Sequence, residues 1–144
     1  MNINVQKLND KAVIPNFATE GAAGFDLVTT EGGTLAPGER RLFGTGIAYE
    51  IPVGLELQIR PRSGLAYKHG ITVLNTPGTI DSDFRGEVKV LLINHGEQGF
   101  AIFEGDRIAQ GVIAEYKKIT FNESEELSET IRGAGGFGHT GTNV

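Results

Sequence analysis

The chain has 144 residues and no cysteine. That is enough for one domain with its own core, and it excludes disulfides and thiolate metal sites. The formal net charge of −5 argues against a nucleic-acid scaffold, which needs a basic face for phosphate backbones. Twenty-one glycines, well above the usual ~7%, suit a turn-rich β-protein. No apolar run approaches the ~20 residues of a membrane span, and no basic-then-apolar leader opens the chain, so the expected location is the cytoplasm, away from membranes.

In chain order, residues 3–8, 25–29 and 40–45 are expected strands. Leu55–Arg60 alternates, with Leu55, Leu57 and Ile59 on one face and Glu56, Gln58 and Arg60 on the other, the pattern of a half-buried strand. Ser63–His69 is the one helical stretch, with Ser63 as N-cap and Gly70 as stop. Residues 71–74 form the next strand. Glu87–Asn94 puts Val88, Val90 and Leu92 on one face and Lys89, Leu91 and Ile93 on the other, so it is more deeply buried. Residues 100–103 and 108–116 close the series, punctuated by Pro-Gly and Gly turns. Many short strands at this spacing indicate a sandwich, barrel or jelly roll. From about residue 122 the chain is acidic, then glycine-rich, with little apolar content. The expected division is a core over 1–121 and a C-terminal arm over 122–144.

Five polar, glycine-containing segments interrupt or follow the strands: 22–27 (AAGFDL), 60–66 (RPRSGLA), 75–87 (NTPGTIDSDFRGE), 105–110 (GDRIAQ) and 132–141 (RGAGGFGHTG). Each couples a charged or hydrogen-bonding side chain to a glycine that lets backbone approach a ligand. Arg62, Ser63 and Gly64 combine a positive charge, a hydroxyl donor and a close approach at a helix start, where an anion sits well. Asp81 ends a strand-like run in GTID; it is the candidate base that orients water for in-line attack on phosphorus. Asp83, two residues on, is its candidate partner on the same side if the chain stays extended. The turn from Asn75 through Ile80 exposes backbone donors and acceptors that distinguish one pyrimidine edge from another. A divalent cation plus a few arginines would let an acidic chain bind a triphosphate. The histidines at 69, 95 and 139 lack metal-ligand spacing.

The five segments, in this order and over nearly the whole chain, resemble the signature motifs of the trimeric dUTP pyrophosphatases, the dUTPases. The resemblance implies an all-β homotrimer. Each subunit would be a single jelly-roll barrel or sandwich with one short helix and a flexible C-terminal arm that closes over a site on another subunit. It implies hydrolysis of dUTP to dUMP and pyrophosphate by water attack on the α-phosphate with Mg²⁺, which lowers dUTP and supplies dUMP for dTMP synthesis. Asp81 is then catalytic. Arg62, Ser63, Gly64 and Gln110 contact phosphates; Asn75, Thr79, Ile80, Phe84 and Lys89 complete the pocket; Arg132, Phe137 and Gly138 come from the arm. Arg132 reaches the γ-phosphate and Phe137 stacks on uracil. Asp26 holds water on the phosphate-bound Mg²⁺, an ion that keeps much of its hydration shell. Asp106 and Arg107 are expected in interface or loop-anchoring pairs, and Arg85 in an ion pair or against substrate. The chain departs from the family pattern at Phe25 and Phe84, where tyrosine is usual, and at His139, where serine is usual.

The dCTP deaminases share the framework, yet carry a proton-transfer glutamate ten residues beyond the aspartate that Asp81 matches, and Leu91 stands there. A non-catalytic interaction module is disfavoured by the intact Asp81 and arm. The residues point to no nucleic acid and no regulatory protein partner.

Overall fold

The computed structural model describes residues 2–142. Among them the chain forms β1 (Asn4–Lys7), β2 (Phe25–Val28), β3 (Gly33–Leu35), β4 (Arg40–Glu50), β5 (Leu55–Arg60), α1 (Ser63–His69), β6 (Ile71–Val73), β7 (Gly78–Ile80), β8 (Glu87–Asn94), β9 (Phe100–Ile102) and β10 (Arg107–Glu115). The expected all-β class with one short helix holds. One four-stranded sheet runs β1-β4-β8-β6, a second runs β2-β10-β5-β7, and β3 pairs with β9. Every pairing is antiparallel, so each strand can bury one face and wet the other.

The core lies between these sheets. From β5 come Leu55, Leu57 and Ile59, from β8 Val88, Val90 and Leu92, and from β4 Phe43, Ile47 and Tyr49. The alternation visible in Leu55–Arg60 and Glu87–Asn94 is the burial pattern observed. Buried Asn94 is the polar exception. Its amide donates to Leu35 O at 2.9 Å and Gln98 O at 2.8 Å, and its Oδ1 accepts from Gly96 N at 2.8 Å. The buried group is thereby satisfied, and β3 and the β8–β9 turn are tied to the end of β8. The Tyr49 hydroxyl is buried without a partner among the described residues, and burial pushes its pKa up.

Three expectations are revised. Strand β4 continues past residue 45 to Glu50, because its glycines lie at a bulge rather than a turn. The pairing with β8 shifts register between Gly44 and Ala48, and Thr45 Oγ1 donates to Val88 O at 2.7 Å across the irregularity. β3 and β7, three residues each and each led by glycine, are additional strands; pairing with β9 and β5 defines them. The helix N-cap is Arg62, in extended conformation, with no side-chain cap bond. Ser63 is therefore the first helical residue, leaving its hydroxyl uncommitted to a cap.

Gly70 does end the helix. It has φ 68 and donates to Ala66 O at 3.0 Å, and a Cβ there would stand 2.5 Å from Gly96 N. Gly70→Ala is expected to lower unfolding stability by at least about 2 kcal/mol, combining left-handed strain with a backbone clash. Gly21→Ala should be near neutral in the same denaturant titration, because nothing lies within 4 Å of its added Cβ.

Candidate active site

A cleft of about 450 Å³ opens where β2, β10 and the β5–α1 connection meet, lined in part by Asp26, Arg62, Ser63, Gly64 and Gln110. Strand register creates it: Gln110 on β10 faces Asp26 on β2 and Arg60 on β5. Gln110 Nε2 donates to Pro61 O at 2.9 Å, fixing the turn that carries Arg62. Gly24 has to be glycine for this packing, since a Cβ would fall 2.7 Å from Gln110 Oε1. Gly64 has nothing within 4 Å of its Cβ position, which leaves the cleft open beside Ser63. Three of the sequence-expected segments thus meet in one place.

The charges within this cleft are shared. Asp26 Oδ1 lies 3.1 Å from Arg62 Nε, and Asp26 Oδ2 accepts from Arg107 Nη1 at 3.2 Å. Arg62 Nη1 also donates to Arg107 O at 3.0 Å. Arg107 thus enters the candidate site, which the sequence reading had not included; only the β2–β10 register reveals it. Asp106 is a loop anchor as expected, its Oδ2 accepting from Phe103 N at 2.8 Å. No cluster of three His, Asp or Glu side chains suited to a metal occurs among the described residues. A single carboxylate already flanked by two guanidinium groups is a poor direct ligand. It fits a hydrated ion carried by phosphate oxygens, as is usual for Mg²⁺ with nucleotides.

The second group lies along β7. This strand pairs with β5 on one side only, with Leu57 opposite Ile80, Gln58 opposite Thr79 and Ile59 opposite Gly78. Its outer edge leaves backbone N–H and C=O groups open. Asn75 stands in the turn before it, and Thr79 is exposed on it. Asp81 follows Ile80 and is exposed. It lines a smaller cavity, about 250 Å³, with Glu56, Ser82, Asp83, Tyr116 and Lys118. The chain turns here rather than staying extended, with Phe84 N donating to Asp81 O at 3.1 Å; Asp83 nonetheless lines the same cavity as Asp81. Ser82 Oγ and Tyr116 Oη are 3.4 Å apart, a contact that draws the Tyr116 pKa below its usual range. Arg85 makes no ion pair among the described residues: its Nη1 donates to Ser82 O at 2.6 Å and Phe84 O at 3.0 Å. The Phe84 ring covers Gly86, where a Cβ would stand 2.6 Å from it.

The remaining candidates line neither cavity. Lys89 sits on β8 in the other sheet, 3.5 Å from Glu87 Oε2. Residues 117–134 are exposed throughout and contain no strand or helix. Arg132 Nε donates to Gly135 O at 2.9 Å, while Phe137 and Gly138 are exposed, Phe137 with φ 48. Within one chain, Asp81 lies level with Glu56, whereas the phosphate cleft begins beyond Arg60. These levels are four residues apart along β5, about 13 Å at the rise of a strand.

A family model described as dUTPase matches residues 10–141. The deoxyuridine 5'-triphosphate nucleotidohydrolase of Nautilia profundicola is 62% identical over 141 residues, which are 98% of this chain and 99% of that protein. The one from Wolinella succinogenes is 58% identical over 141 residues, covering 98% of this chain and 95% of that protein. Among solved structures, the Staphylococcus bacteriophage 80alpha dUTPase with dUPNHPP aligns at a TM-score of 0.92 and 25% identity, over 98% of this chain and 99% of that chain. The jelly-roll-like arrangement of the two sheets is therefore shared with a solved fold. A model match and close relatives spanning nearly every residue, over a cleft built from three of the five segments, carry one conclusion: the chain belongs to the dUTPase family.

Proposed function

We infer that this chain hydrolyses dUTP to dUMP and pyrophosphate. The observation that carries the reading is the cleft of Arg62, Ser63, Gly64 and Gln110 in a chain of this family. Arginine, hydroxyl and open backbone together suit a phosphate chain. The free edge of β7 suits a pyrimidine edge: uracil pairs with its backbone groups, while cytosine leaves buried donors and acceptors mismatched. Phe84 packs against the sugar. Asp81, at the end of that strand, holds the attacking water and accepts its proton as the α-phosphorus is attacked. Mg²⁺ travels with the triphosphate and neutralises charge on its oxygens, with Asp26 next to its water shell. Leu91 supplies no carboxylate for a deaminase.

The 13 Å separation along β5 supports a site shared between subunits, one giving the phosphate cleft and another the Asp81 edge. A homotrimer with three such sites meets that requirement. The core over 1–121 forms the body, and the arm over 122–144 brings Arg132, Phe137 and Gly138 across to close it. Its last residues, 143 and 144, lie outside the described region. The enzyme works in the cytoplasm on the nucleotide pool.

Pyrophosphate release measured with dUTP beside dCTP, dTTP and UTP tests the activity; turnover confined to dUTP is expected. Asp81→Asn should lower that turnover by at least about 10²-fold with nucleotide binding retained. Near-normal turnover would move the base to another group, Asp83 first.

Sharing of the site predicts complementation. Asp81→Asn and Arg62→Gln should each be nearly inactive alone, yet regain activity in co-expressed mixed trimers, because some sites then draw both intact groups from different subunits. An active monomer in light scattering would sink the trimer.

The arm predicts a third outcome. Truncation before Arg132 should keep the trimer and weak nucleotide binding while removing most of the activity, since closure excludes water around the charged phosphates. Phe137→Ala should be milder, about 1–3 kcal/mol, the range for one base–aromatic stack. A truncated protein working at full rate in the same assay would show that the arm has no part in the chemistry.

A further inference from the structure

Asp26 stands between two arginines, and only one of them belongs to the cleft. Arg62 and Asp26 are half-buried, with side-chain exposures of 30% and 26%. Arg107 approaches from outside, 57% exposed. It reaches Asp26 because the β10–β2 pairing shifts register between Arg107 and Ala109, the kind of irregularity that re-aims a side chain beside a site. The loop that delivers it is anchored at three points: Gly105 N to Thr29 O at 2.9 Å, Thr29 N to Asp106 O at 2.9 Å, and Phe103 N to Asp106 Oδ2 at 2.8 Å. Arg107 is thus presented on a fixed frame.

The consequence falls on Arg62. A guanidinium facing a free carboxylate closes on it through two parallel N–H bonds. Here Arg107 holds Oδ2, so Arg62 meets Oδ1 through Nε alone, and its Nη1 turns to Arg107 O at 3.0 Å. Its Nη2 has no protein partner among the described residues. Of the five donors in an arginine fork, those on the outer edge stay available while the side chain is still oriented.

We propose that Arg107 is a positioning residue for the phosphate grip: by sharing the Asp26 carboxylate it prevents Asp26 from capturing Arg62, and so keeps the outer donors of Arg62 free for substrate phosphate. This rests on the phosphate-cleft reading above. Removing the Arg107 side chain leaves Asp26 with one cation, and Arg62 then folds onto it. A lysine at 107 still supplies a point charge to Oδ2. Removing the carboxylate as well releases Arg62 again.

Five proteins test this: the parent, Arg107→Gln, Arg107→Lys, Asp26→Asn, and Arg107→Gln combined with Asp26→Asn. Arg107→Gln should raise KM for dUTP about tenfold and change kcat by less than about threefold, the split expected for lost binding rather than lost chemistry. Arg107→Lys should stay within about threefold of the parent, and the double variant should match Asp26→Asn alone, a non-additive result. Calorimetry with inorganic triphosphate in place of dUTP should give the same order of affinities without turnover. A parent that fails to hydrolyse dUTP therefore defeats the activity reading while the triphosphate series still decides this one. Arg107→Ala serves as the second deletion should the glutamine variant not fold. The proposal is overturned if the deletion leaves KM and triphosphate affinity unchanged, if lysine is no better than glutamine, or if the two single losses add in the double variant.

Discussion

The pairing of β5 with β10 on one edge and β7 on the other decides where the candidate groups of the body stand. β5 is held by its inward side chains Leu55, Leu57 and Ile59, all buried, and a one-residue slip would turn that face to water. Its register is therefore strongly set. At its C-terminal end it launches the turn carrying Arg62, Ser63 and Gly64. Near its N-terminal end it faces Ile80, and Asp81 lies just beyond. The same six residues connect the cleft to the Asp81 edge and hold them apart.

An acidic chain faces a further constraint. With a net charge of −5, long-range attraction for a triphosphate is absent, so the positive charge has to be local. Positive charge at the cleft comes from Arg62, with Arg107 at its rim, both held against the one Asp26 carboxylate. Such pairs are half-exposed, and their worth is orientation more than stability. A free arginine at that point would be mobile; a fully paired one would be occupied. Sharing Asp26 lies between those limits.

Side-chain periodicity made the long strands legible, because β5 and β8 bury alternate residues along their whole length. β3 and β7 were not legible. Three residues led by glycine have no period to detect, and only pairing with β9 and β5 defines them. The expected strand over 40–45 stopped short, because the chain continues through a bulge whose gap Thr45 bridges to β8. Ser63 looked like a cap because it is a serine at a helix start, yet Arg62 takes that place with its backbone alone. For the site, the motifs singled out Asp26, Arg62 and Gln110, which line one cleft. They could not supply Arg107 as a partner of Asp26, because that contact spans 81 positions and depends on a register shift. Nor could they show that Arg85 folds back onto its own loop.

What the body lacks is enclosure. Asp81, Thr79, Ser63 and Gly64 are all exposed, and a strand edge open to water discriminates poorly, since water satisfies any mismatched group at little cost. Recognition by the β7 edge, as proposed, would gain selectivity only once the pocket is dry. The segment with Arg132 and Phe137 follows the last strand and is exposed, with no strand or helix of its own among the described residues. Phe137, placed at φ 48 between two glycines, has a strained backbone and an uncovered ring, neither of which its own chain compensates. Ordering such a segment costs roughly 1–2 kcal/mol per residue, so the proposed closure would have to be driven by ligand contacts: phosphate for the guanidinium and a base face for the ring. On the proposed reading, selectivity and hydrolysis depend on the same event, because a closure that dries the β7 edge would also confine a water at Asp81.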